Sequence, residues 1–213
     1  MSARLIDVRT PKQPQGAVIV IHGGAQRAAR AAVSPTQLSV VRMVPIARRI
    51  ARAGHGRLAV VRLLNTWRGW DTQHTPLQDA AWAIDQVSSR YGVPIALVGH
   101  SLGGRGALLA ATDERVRAVV ALNAWLYPDD GEPLPGRRVL FVHGDADHIA
   151  PAARSRRVAD RLARSADVRY EVVEGGKHAM LRHGRTFERL AADFVVDALT
   201  GDGGPDGPVG GGA

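Results

Sequence analysis

The chain has 213 residues, long enough for one well-filled core and short for two, and its 45% hydrophobic residues fall in strand-sized runs well below the length of a membrane span. It has no cysteine, which excludes disulfides, thiolate metal sites and a cysteine nucleophile. The net charge of +8 comes from scattered arginines, with Lys12 and Lys177 the only lysines and no recognisable nucleic-acid module, so neither nucleic acid nor a membrane is an expected partner.

Near the N-terminus, Asp7 falls where a secretory peptide would need its apolar centre, so a cytoplasmic protein is expected. Strands are predicted at Ala17 to Ile21, Leu58 to Leu64, Ile95 to Val98, Val116 to Leu122, Val139 to Val142 and Val168 to Val173, runs of Val, Ile and Leu that read mostly as buried. Helical spacing runs from Pro35 to Ala53, Pro76 to Tyr91, Leu102 to Ala111, Pro151 to Ser165 and Thr186 to Leu199. Pro35, Pro76 and Pro151 suit first helical turns, and Gly54 and Gly92 suit C-terminal caps. Strand and helix alternate, which predicts an α/β fold: a mostly parallel sheet with helices on both faces. Only the loop Asn123 to Gly136 separates the strand ending at Leu122 from that opening at Val139, too little for an inserted helical cap. Residues 1–199 are expected to form one domain, and the Gly-rich stretch 200–213 a disordered tail without enough apolar surface to offset its chain entropy.

The most informative segment is Gly99-His100-Ser101-Leu102-Gly103-Gly104, set between a short apolar strand and a helical run. A serine on a sharp strand-to-helix turn is thrust out at the carboxyl edge of the sheet, beside the N–H groups of a helix N-terminus. Glycines are needed around it because a Cβ would clash where strand and helix close on each other. A serine hydroxyl is a poor nucleophile at neutral pH and needs an adjacent imidazole, itself oriented by a carboxylate.

In a parallel sheet such partners belong at strand carboxyl ends. After the strand ending at Val142 comes His143-Gly144-Asp145-Ala146-Asp147-His148, and Asp147 is the preferred acid; after Val173 comes Glu174-Gly175-Gly176-Lys177-His178, and His178 is the preferred base. Asp145, Asp129 and Asp130 remain alternative acids and His183 an alternative base, while His22 and His100 read as packing residues. The cluster His143, Asp145, Asp147, His148 could be taken for metal ligands, but the serine elbow already accounts for the chemistry, and neither metal nor organic cofactor is expected.

The order Ser101, Asp147, His178 resembles that of the α/β-hydrolase superfamily, especially its small capless bacterial members of the dienelactone-hydrolase and esterase kind. The likeness runs from about Ala17 to Leu199 and rests on His22-Gly23-Gly24, the serine elbow, the Asp147 loop and Gly176-Lys177-His178; Lys177 departs from the usual Gly-His ending. It implies an α/β-hydrolase fold with an oxyanion hole of two backbone N–H groups, those of Leu102 and of Gly24, with Ala25 second choice to Gly24. The expected activity is cleavage of a small-molecule carboxylic ester or thioester through an acyl-serine. A peptidase, a biosynthetic eliminase or cyclase with the same triad, and a slow-turnover ligand receptor are the alternatives. Trp67, Trp70, Trp125 and Tyr127, on loops after two strands, are expected to wall an open substrate cleft, with Arg68 or Arg105 candidates to meet an acidic substrate. The chain leaves its oligomeric state open.

Overall fold

The computed structural model describes residues 2–24, 31–71 and 73–201. Seven strands form one sheet: β1 (Arg4–Arg9), β2 (Gly16–Ile21), β3 (Leu58–Leu64), β4 (Ile95–His100), β5 (Val116–Leu122), β6 (Arg138–Gly144) and β7 (Asp167–Val173), in the order β1-β3-β2-β4-β5-β6-β7. All neighbours are parallel except β1 and β3. The helices are α1 (Leu38–Val41), α2 (Met43–Ala53), α3 (Thr75–Tyr91), α4 (Leu102–Ala110), α5 (Ala152–Leu162) and α6 (Gly184–Thr200).

The strands alternate their side chains between two cores. Ile19, Ile21, Leu97 and Phe141 pack with α3, α4 and α5, whereas Val18, Val20, Val98 and Val142 pack with α2 and α6. Burial on both faces explains why β2 and β4 read as unbroken apolar runs. Each such side chain contributes about 1.5–3 kcal/mol on leaving water.

The predicted α/β architecture stands, with three corrections. The unpredicted β1 pairs antiparallel with β3; as an edge strand it is half-exposed and carries Arg4, Asp7 and Arg9, charges that blunt an edge and dilute the strand signal. β7 forms the opposite edge and is likewise only partly buried. The single helix expected over Pro35 to Ala53 starts later, at Leu38, and is interrupted at Arg42. Pro45 has no N–H for the Val41 carbonyl four residues earlier, and its ring crowds that carbonyl. Gly92 caps α3 in the left-handed region, φ 61°, but Gly54 ends α2 in helical conformation.

The loop between β5 and β6 holds no helix, so no cap is inserted there. The tail expected from residue 200 falls, beyond Gly201, outside the described residues; α6 itself runs to Thr200. Among the described residues no helix is long and apolar enough to cross a membrane. β2 and β4 are neighbours although β3 intervenes in sequence, so the chain reverses direction across the sheet at this point, and a crevice opens at their carboxyl ends.

Candidate active site

Ser101 stands at the end of β4, in that crevice. Its φ of 55° and ψ of −121° are rarely adopted by an L-residue, a strain of order 1–3 kcal/mol that the surroundings must hold. They do so through backbone bonds: Ser101 N–H donates to the Leu122 carbonyl at 3.0 Å, and the Ser101 carbonyl accepts from Trp125 N–H at 3.1 Å. The flanking glycines are sterically required. A Cβ at Gly99 would lie 2.1 Å from the Gly103 carbonyl oxygen, and one at Gly103 would lie 2.4 Å from that of His22.

Asp147 and His178 arrive from the ends of β6 and β7. These loops touch backbone to backbone, since a Cβ at Gly144 would sit 2.1 Å from the Gly176 carbonyl oxygen. His178 Nδ1 donates to Asp147 Oδ2 at 2.8 Å, which leaves Nε2 to accept from Ser101 Oγ at 3.0 Å. Asp147 Oδ1 accepts the N–H groups of Ile149, at 2.8 Å, and Ala150, at 2.9 Å. Burial alone would raise the Asp147 pKa, but the nearby His143, the bond from His178 and the bonds from Ala150 and Ile149 outweigh it and hold the carboxyl well below the usual carboxylate range. His143 acts across 3.5 Å, because its Nε2 proton goes to the Ala150 carbonyl at 2.9 Å.

The alternative acids and base are engaged elsewhere or stand apart. Asp145 accepts the Gly175 N–H at 2.7 Å. Asp130 forms a bidentate ion pair with Arg105, at 2.8 and 3.0 Å, and Asp129 is exposed. His183 precedes α6, beside Gly175. His143 has both ring nitrogens engaged, by Ala150 and by Ser155, and no group of three His, Asp or Glu side chains among the described residues is placed to share a metal ion.

Two histidines hold the surrounding backbone. His22 Nε2 accepts the Asn65 N–H at 3.2 Å, so its Nδ1 carries the proton and donates to the Gly23 carbonyl. Since the C=O and N–H of a trans peptide point in opposite directions, this bond aims the Gly24 N–H away from His22. Gly24 is itself confined, as a Cβ there would fall 1.9 Å from the Arg68 carbonyl oxygen. His100 lies under the His178 ring, with centroids 4.9 Å apart, and its Nε2 donates to the His178 carbonyl at 2.8 Å. Burial, assisted by the charges of His178 and Arg42, pushes its pKa down to about 3, so it is neutral at physiological pH.

Sequence reasoning missed Asn123. Fully buried, with φ 42°, it donates Nδ2 to the carbonyls of Lys177, at 3.1 Å, and His178, at 3.3 Å, while its Oδ1 accepts the Gly144 N–H at 2.8 Å. It therefore ties the end of β5 to both the acid loop and the base loop.

Ser101 opens into a cavity of about 330 Å³, the small end of the usual range for small-molecule sites. Gly23, Gly24, Leu102 and His178 line it, but of the expected aromatic wall only Trp125 does. Trp70 and Tyr127 instead sandwich the Arg105 guanidinium, at 4.4 and 4.5 Å, over its pair with Asp130. Trp67 is drawn off by an antiparallel bridge to Ala32, and Arg68 is exposed. The cation on the cavity wall is Arg42, with Ser39 and Ile149 beside the expected residues. A larger hollow, about 690 Å³, lies between α2 and α6 around Arg49, Arg52 and Asp193, but it holds no serine and base in contact.

The family model described as "Alpha/beta hydrolase family" matches residues 73–185, the segment that carries the serine elbow, the acid loop and the base loop. The chain belongs to the alpha/beta hydrolase family. No curated protein matches it. Among solved structures it is similar to a lid-less α/β serine hydrolase from Xanthomonas campestris, with a TM-score of 0.70 at 17% identity over 93% of this chain and 89% of that one. It is also similar to a monoacylglycerol lipase from Paleococcus ferrophilus, with 0.69 at 18% identity over 93% and 100%. Est1E from Butyrivibrio proteoclasticus gives 0.68 at 18% over 92% and 93%. At such identities the likeness is one of fold.

Proposed function

We propose that this α/β hydrolase cleaves a small carboxylic ester or thioester through an acyl-serine intermediate. The observation that carries the reading is the hydrogen-bonded line from Ser101 Oγ through His178 to Asp147, at 3.0 and 2.8 Å, under a serine held at positive φ. Such a line needs no rearrangement to move a proton. Ser101 Oγ attacks the carbonyl carbon while its proton passes to His178 Nε2, and Asp147 stabilises the imidazolium that forms. The charge on the carbonyl oxygen is then held by the N–H groups of Leu102, in the unpaired first turn of α4, and of Gly24, each worth about 2.7–4 kcal/mol in the transition state. His178 returns the proton to the departing alcohol or thiol. Water, deprotonated by the same imidazole, then attacks the acyl-serine carbonyl, releasing the acid and restoring Ser101.

A fluorophosphonate probe followed by peptide mass spectrometry tests the reading, together with p-nitrophenol release from short acyl esters. The expected result is modification of Ser101 alone, abolished in Ser101→Ala, with ester turnover lost in parallel. Modification at another residue, or none of the folded protein, overturns the mechanism.

A further inference from the structure

The cavity at Ser101 carries a positive charge that the chemistry just described does not use. Arg42 lies at the break between α1 and α2, where helical backbone fixes it through its N–H bond to the Leu38 carbonyl at 3.0 Å. Among the described residues its guanidinium forms no ion pair or hydrogen bond, and its Nε is buried without a partner. Arg105, the other arginine beside this site, is paired bidentately with Asp130. A partly buried cation left without an anion is costly, and burial indeed holds the Arg42 pKa below its ordinary value. Its charge is felt at the floor of the site, where it disfavours protonation of His100 beneath the His178 ring.

A second donor stands beside it. Ser39 is one helical turn before Arg42 on the same cavity wall, and its hydroxyl oxygen accepts Gln37 Nε2 at 2.8 Å. That bond occupies a lone pair of Ser39 Oγ and leaves its proton to be donated elsewhere. Among the described residues no carboxylate lines the cavity to compete for either donor.

We propose that Arg42 and Ser39 form an anion-recognising wall of this cavity, and that the substrate is an ester or thioester carrying a second, carboxylate group. This deepens and rests on the acyl-serine reading above. The guanidinium fork matches a carboxylate in two parallel hydrogen bonds, and at the edge of a small, partly desolvated cavity such a bond is stronger than in open water. The carboxylate belongs either to the acyl part or to the leaving group, and kinetics separates the two.

Wild-type kcat/KM is measured for p-nitrophenyl hemiglutarate against its neutral methyl ester, and for 4-carboxyphenyl butyrate against its methyl ester. An acyl-side charge gives a preference of about 10- to 100-fold for the first acid, and a leaving-group charge gives it for the second, the worth of one charge-assisted hydrogen bond. The preference shrinks with added salt, falls toward unity in Arg42→Gln and returns in part in Arg42→Lys. Neutral esters cleaved as well as or better than the acids by the wild-type enzyme in both series overturn the proposal. If no ester is cleaved and Ser101 takes no fluorophosphonate, the hydrolase reading has failed, and calorimetry with glutarate on Ser101→Ala protein still decides this one. Affinity lowered about tenfold or more by adding Arg42→Gln sustains it. Equal affinity in the two proteins, or no detectable binding to either, overturns it.

Discussion

Replacing Asn123 by aspartate keeps the shape of the side chain and its tolerance of φ 42°, but exchanges the amide donor for a second acceptor. Oδ1 can still take the Gly144 N–H, whereas the other oxygen now faces the carbonyls of Lys177 and His178. Both carbonyls lose the bond from Asn123 but keep another donor, His100 Nε2 for His178 and the Met180 N–H, at 2.9 Å, for Lys177. Neither carbonyl is left bare, so the cost falls on the new carboxylate oxygen, buried without a donor and facing two carbonyls; at about 1–3 kcal/mol for an unsatisfied buried group, and more for a charged one, a loss of roughly 2–4 kcal/mol is expected at pH 7. The new carboxyl would titrate above its unfolded pKa of about 3.9, so it is the charged form that destabilises, and the deficit shrinks as the pH falls and a proton restores one donor. Urea unfolding of wild type and Asn123→Asp at pH 7 and pH 5 measures both the loss and its sign. On the acyl-serine reading kcat falls as well, by about 100-fold if the imidazole moves by ~1 Å. Equal urea midpoints at pH 7, or a deficit that grows on acidification, would refute the role assigned to Asn123.

Gly24→Ala would drive a Cβ toward the Arg68 carbonyl oxygen, 1.9 Å away; on the acyl-serine reading, in which Gly24 is an oxyanion donor, the displaced loop should cost about 10²–10³ in kcat with little change in far-UV circular dichroism. Asp147→Asn should lower kcat by up to about 10⁴ and Asp145→Asn far less, and steady-state rates with p-nitrophenyl butyrate decide the ranking. His100 has its folded pKa lowered to about 3 from an unfolded value near 6.5, so its contribution is complete above pH 6.5 and is lost as the pH falls toward 3. Between pH 6.5 and 5 that amounts to about 2 kcal/mol, and urea titrations should show the acid-side slope reduced in His100→Gln.

The serine elbow was legible because its constraint is local. Two backbones meet within a few residues of each other, and only glycine at 99 and 103 allows it. Asp147 and His178 were legible for a different reason, since a parallel sheet gathers the residues after its strands at one edge. The interruption at Arg42 had a visible cause in Pro45 but was absorbed into a longer helical pattern, and with it the cavity's cation was overlooked. The aromatic wall failed because a loop position at the correct edge does not fix where a side chain turns. The unforeseen pair of Arg105 and Asp130 captured Trp70 and Tyr127 instead.

Asn123 was beyond local reasoning altogether, because its partners come from β6 and from the β7–α6 loop, and no spacing in sequence announces a convergence of three elements. It also gives a physical account of Lys177, the residue that separates Gly176 from His178. If His178 is the base, as proposed, an extra residue just before it would ordinarily loosen it. Here the exposed Lys177 side chain leaves the site, while its carbonyl takes the Asn123 amide and the next carbonyl takes both that amide and His100 Nε2. The imidazole is thus steadied from two directions, by Asp147 at its ring and by two buried side chains at its backbone. A loop with Gly175 and Gly176 would otherwise be free to carry the ring away from Ser101, and the residue inserted there contributes an anchor for the loop.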